Sequence, residues 1–74
     1  MRDYKVMSNG LPTAVECGPG NFVLNRSADP VSLIINEDTL ELLPSERIKR
    51  SSFDGLTVTA PGAVHLVIGE GWLQ

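Results

Sequence analysis

The groups in this 74-residue chain that could do chemistry are few: one histidine, one cysteine and nine carboxylates. His65 has no second histidine to share a metal with and no Asp or Glu at a short ligand spacing, so a half-exposed strand position fits it better than a ligand role. Cys17 alone closes no intrachain disulfide and reads as a small half-buried strand residue. Asp3, Glu16, Asp29, Glu37, Asp38, Glu41, Glu46, Asp54 and Glu70 are scattered and fall mostly at turns. None is paired in the apolar setting that acid-base work requires. Gly18-Pro19-Gly20 and Gly69-Glu70-Gly71 lack the strand-to-helix context and the Lys-Ser/Thr of a phosphate loop, and so read as backbone turns. The sequence nominates no catalytic residue, cofactor or metal ligand, and an enzyme is not expected.

Binding residues are easier to name. Arg47-Ile48-Lys49-Arg50 is the basic cluster, and with Arg26 it holds four of the six positive charges. On a strand Arg47 and Lys49 project to one face, Ile48 and Arg50 to the other. The cluster therefore reads as edge-strand charge that discourages unwanted pairing, or as salt-bridge partners for an acidic neighbour. A net charge of −3 and a pI near 4.8 argue against general polyanion binding. A small barrel that did bind nucleic acid or a peptide would use Arg26, Arg47, Lys49 and Arg50. Trp72-Leu73 must fold back over the core or be buried by a partner, and aromatic anchors of this kind make it the best protein-contact candidate. Tyr4 is the aromatic candidate at the other end.

The elements that must position these groups are strands. Val31 to Ile35 and Leu40 to Leu43 flank the polar break Asn36-Glu37-Asp38 and predict a β-hairpin. Val31, Leu33 and Ile35 share one face, and Ile34 on the other suggests that the second face is also partly covered. A first strand spans Asp3 to Met7, with Tyr4 and Val6 on one side and Lys5 and Met7 on the other. Asn9-Gly10 is a turn. Thr13 to Cys17 gives a short strand ended by Gly18-Pro19-Gly20, and Asn21 to Asn25 a third in which Phe22 and Leu24 share a face. The polar run 25–30 is a connection. Leu43-Pro44-Ser45-Glu46 predicts a type I turn, Phe53-Asp54-Gly55-Leu56 a type I′ hairpin turn, and Ala60-Pro61-Gly62-Ala63 a type II turn. Leu56, Val58 and Ala60 should face in, as should Val64, Leu66 and Ile68. Pro44 rules out a helix over 37–50. The expected fold is all-β: a small antiparallel β-sandwich or barrel of about seven short strands, with no substantial helix.

Length allows one domain, 1–74, with 1–12 as a candidate N-terminal arm. Area scaling for 8.0 kDa gives roughly 4,500 Å² folded against roughly 11,600 Å² unfolded. Such a core is marginal alone, so completion by oligomerisation or docking is expected. The charged start, Met1-Arg-Asp-Tyr-Lys-Val, is no secretory signal, no run is long enough to span a membrane, and synthesis in a reducing cytoplasm follows.

The glycine-bounded strand entering Asn25-Arg-Ser-x-x-Pro30-Val31, the apolar hairpin, the Leu43-Pro-x-Glu46 turn and the closing Val-x-Leu-x-Ile-Gly-Glu-Gly-Trp segment resemble small β-sandwich virion proteins of tailed bacteriophages. That group includes capsid decoration proteins and minor head or tail components. The resemblance covers residues 20–74 and implies a non-enzymatic structural role in a virion made in a bacterial host. It implies a symmetric homo-oligomer, with a trimer favoured, gripping the major capsid or tail protein. Neither a membrane nor nucleic acid is an expected partner.

Overall fold

The computed structural model describes residues 2–70. Six strands form a single antiparallel sheet: β1 (Arg2–Met7), β2 (Thr13–Asn25), β3 (Val31–Ile35), β4 (Asp38–Leu42), β5 (Arg47–Thr59) and β6 (Ala63–Gly69). Their order is β1-β6-β2-β5-β3-β4, and no helix occurs among the described residues. The all-β class expected from the sequence is what is found. Among the described residues the strand count is six rather than about seven, because two pairs of expected short strands are each one long strand.

The sequence splits β2 at Gly18-Pro19-Gly20, yet the chain runs through it, with register shifts between Val15 and Pro19 and between Gly20 and Phe22. It places a hairpin at Asp54-Gly55, yet β5 also runs through, with Gly55 at φ +92°. The reason is parity. Phe53 and Leu56 are both buried in the core, and residues three apart on a regular strand point to opposite faces. A bulge at Asp54-Gly55 turns both inward, where they pair with Gly20 and Val15 of β2. On β2 the inward Gly20 stands three residues from both Cys17 and Val23, and two register shifts, one on each side of it, make the same correction.

The bends let one face of one sheet enclose a core. Val64, Leu66 and Ile68 from β6 belong to the same buried cluster as Val31, Leu33 and Ile35 from β3, although β2 and β5 stand between them in the sheet. The sheet is therefore curled. The total accessible area, 4370 Å², matches the size scaling for a chain of this mass.

The β3–β4 hairpin forms as expected, closed by Asn36 and Glu37 at φ +49° and +72°, the signs of a type I′ turn. Ile34, on the outer face expected to be partly covered, is 42% exposed. Asn9-Gly10 also turns as expected, at φ +50° and +80°. Two other turns differ. Ser45 takes φ +67°, which makes 43–46 type II-like rather than type I, and its N–H donates to the Asn25 carbonyl from outside the turn. Gly62 has no positive φ, so 60–63 is not a type II turn. The Ala60 and Gly62 carbonyls instead accept from Gly10 and Ser8, and the docked 8–11 turn holds the loop.

Residues 2–7, half of the expected arm 1–12, pair along their length with β6 of the same chain. Tyr4 and Val6 pack against the core, while Lys5 and Met7 are exposed.

Candidate functional site

Strand register decides which side chains share the outside of the curled sheet. Asp3 pairs with Val67, Val67 with Leu24, and Leu24 with Arg47, giving one row across β1, β6, β2 and β5. Lys5 pairs with His65 on the row below, and Phe22 with Lys49 on the row above. Partners across a ladder point the same way, so Lys5, Arg47 and Lys49 stand on one outer face. Arg26 joins them, because it follows the inward-facing Asn25 and lines the same groove as Lys5 and His65. This groove, about 510 Å³, runs between the end of β1 and the 26–29 loop.

Four of the six cations thus collect on one half of the sheet. The other two are held at the bends: Arg2 donates to the Pro19 carbonyl at 2.6 Å, and Arg50 to the Lys49 carbonyl at 3.1 Å. Phe22 and Val67 are buried on this same outer side, outside the inner cluster. The expectation that Phe22 and Leu24 share a face holds; the inward residue between them is the fully buried Val23.

The other half of the sheet has the opposite sign. Its outer face carries Glu16, Glu37 and Asp54 around a second groove of about 470 Å³, with Ile34, Ala14 and Thr57 in its floor and walls. Glu41, paired with Ser32, continues it toward the β4 edge. No Lys or Arg lines this groove. Because the two halves share one core, their outer faces look away from each other.

His65 stands within 3.1 Å of Asp3, from Nε2 to Oδ1, with side chains 31% and 67% exposed. No local pattern marks this contact, since the two residues are 62 positions apart and meet only through the β1–β6 ladder. The pair is open to water, and a contact screened in this way contributes little. Among the described residues no group of three His, Cys, Asp or Glu side chains is placed to hold a metal.

The expected contact residues are distributed unevenly. Arg47 and Lys49 lie on the basic outer face, as does Arg26, and Arg50 sits at the β5 irregularity beside them. Tyr4 is half-buried and donates its hydroxyl to the Cys17 carbonyl at 3.1 Å, bridging β1 to the first half of β2. Trp72 and Leu73 lie outside the described residues. Cys17 is fully buried rather than half-buried. What sequence reading missed is Lys5 as a fourth member of the basic set, and the acidic groove as a unit. Period two puts each residue on the correct side of its own strand, but only the ladder tells which strands are neighbours. Comparison with protein-family models, curated proteins and solved structures found no match.

Proposed function

We propose that this chain is a non-enzymatic structural module, working through protein–protein contacts to stabilise or join larger subunits. The observation that carries this reading is the segregation of charge onto two outer faces of one small sheet. Arranged potentials of this kind steer and select partners. The exposed Met7 and Leu11, which bracket the 8–11 turn at 59% and 67% exposure, add apolar surface at one end. The phage-virion resemblance supplies the setting in this reading: a capsid or tail subunit as the larger partner, copies in a symmetric oligomer such as a trimer, and a sandwich-like or barrel-like closure of the curled sheet. Trp72 and Leu73 keep the anchor role that their residue types suggest.

A second reading is favoured by the same basic face: binding of nucleic acid or an acidic peptide through Arg26, Arg47, Lys49 and Arg50. It requires affinity that falls steeply with salt, because each phosphate contact releases counterions. Light scattering during size exclusion separates the two, with Trp72→Ala beside the parent. An oligomer that weakens with the alanine change supports the structural module. A stable monomer that binds short duplex DNA at low salt supports the second reading.

A further inference from the structure

The two charged faces are complementary to each other, and they belong to the same chain. We infer that copies of this protein associate head to tail, the basic face of one seated on the acidic face of the next. The inference rests on the structural-module reading and names the partner as a second copy.

The basic face offers Lys5, Arg26, Arg47 and Lys49; the acidic face offers Glu16, Glu37, Glu41 and Asp54. Each face borders an open groove, and the two grooves are of similar size, about 510 and 470 Å³. Each also has an apolar element: Met7 is 59% exposed at the first groove, and Ile34 is 42% exposed in the second. The basic face is not uniform, since Asp3 and Asp29 adjoin it, and this sets a register for an incoming acidic surface that a uniform polyanion would not need. A net charge of −3 makes copies repel at long range. Within a Debye length of about 10 Å at 0.1 M salt, local complementarity outweighs that repulsion.

Because the faces differ and look away from each other, the contact is heterologous. Such a contact leaves one unused face at each end, so it propagates into a stack or closes into a ring. It does not stop at a two-fold dimer.

Charge reversal tests the geometry. One variant carries Arg26→Glu with Lys49→Glu, leaving both faces acidic. The other carries Glu16→Lys with Glu41→Lys, cancelling the charge of the acidic face. All four positions are exposed, and circular dichroism with a thermal melt checks that each variant folds. Lys5→Glu on the basic face, or Asp54→Lys on the acidic face, replaces whichever variant fails this check. The parent is expected to form species larger than a monomer at about 50 mM salt and to dissociate at about 500 mM. Each variant alone should associate at least tenfold more weakly than the parent, and an equimolar mixture of the two should regain association. A parent that assembles, with variants that assemble equally well, overturns the head-to-tail contact while leaving the structural-module reading in place. A parent that stays monomeric at near-millimolar concentration also overturns it. If that monomer binds duplex DNA, the module reading falls as well.

Discussion

Asn25, fully buried at the end of β2, donates its side-chain amide to the Leu42 carbonyl at 2.9 Å and to the Asp29 carbonyl at 3.1 Å. Its Oδ1 accepts from the Ser27 N–H at 2.8 Å, and its backbone bonds both Glu46 and Ser45. This one residue thus ties β2, the 26–29 loop and the end of β4 through its side chain, and the 43–46 turn through its backbone. Removing it strands the buried Leu42 carbonyl and the part-buried Asp29 carbonyl and leaves a void. Asn25→Ala is expected to cost about 2–4 kcal/mol, and urea denaturation should show a lower midpoint with an unchanged slope. A loss below about 1 kcal/mol would mean that water replaces the amide.

Gly20 faces inward where β2 meets both neighbours. A Cβ there would stand 3.0 Å from Ile68 Cγ2 and 3.2 Å from the Phe53 ring. Both neighbours are packed core residues and have little room to move. Gly20→Ala is therefore expected to destabilise by about 1–3 kcal/mol through overpacking. Phe53→Leu in the same chain should recover part of that loss, which a double-mutant cycle measures as coupling.

These two positions show what the sequence reveals and what it hides. The β3–β4 hairpin and the inward sets Leu56, Val58, Ala60 and Val64, Leu66, Ile68 are legible because a period of two over five residues has one solution. Gly18-Pro19-Gly20 and Asp54-Gly55 were not, because the residues that make a hairpin turn also make a bulge. The discriminating signal was the spacing of apolar residues around them. Phe53 and Leu56, three apart and both large, cannot both face in on a regular strand, so a continuous bulged strand satisfies them as a hairpin does. The charged faces were hidden for another reason. Lys5 meets His65, and Leu24 meets Val67, only through ladders that close across most of the chain.

Glu37 is a place where local preference and fold disagree. It holds φ +72° in a turn that favours glycine at this position. A left-handed conformation costs a residue with a Cβ roughly 1–2 kcal/mol, partly offset by the extra unfolded-state freedom of glycine. Glu37→Gly is expected to raise stability by about 0.5–1 kcal/mol, seen as a melting temperature higher by roughly 2–8 °C. The same change removes one acidic side chain from the second groove, so it should weaken self-association while strengthening the fold.

Leu33 and Ile34 are adjacent, and the curl of the sheet assigns them opposite tasks. Leu33 is fully buried in the cluster shared by β3 and β6, whereas Ile34 points outward beside Thr39 and Thr57. Leu33→Ala should cost about 2–5 kcal/mol by leaving a cavity in a close-packed core. Ile34→Thr should change stability by no more than about 0.5 kcal/mol, since threonine suits a strand and the site is open. Its effect should be on association, as a lower average mass by light scattering at low salt. An Ile34→Thr chain as unstable as Leu33→Ala would show that the outer face of β3 is buried within the chain itself, which removes it from the surface available to a second copy.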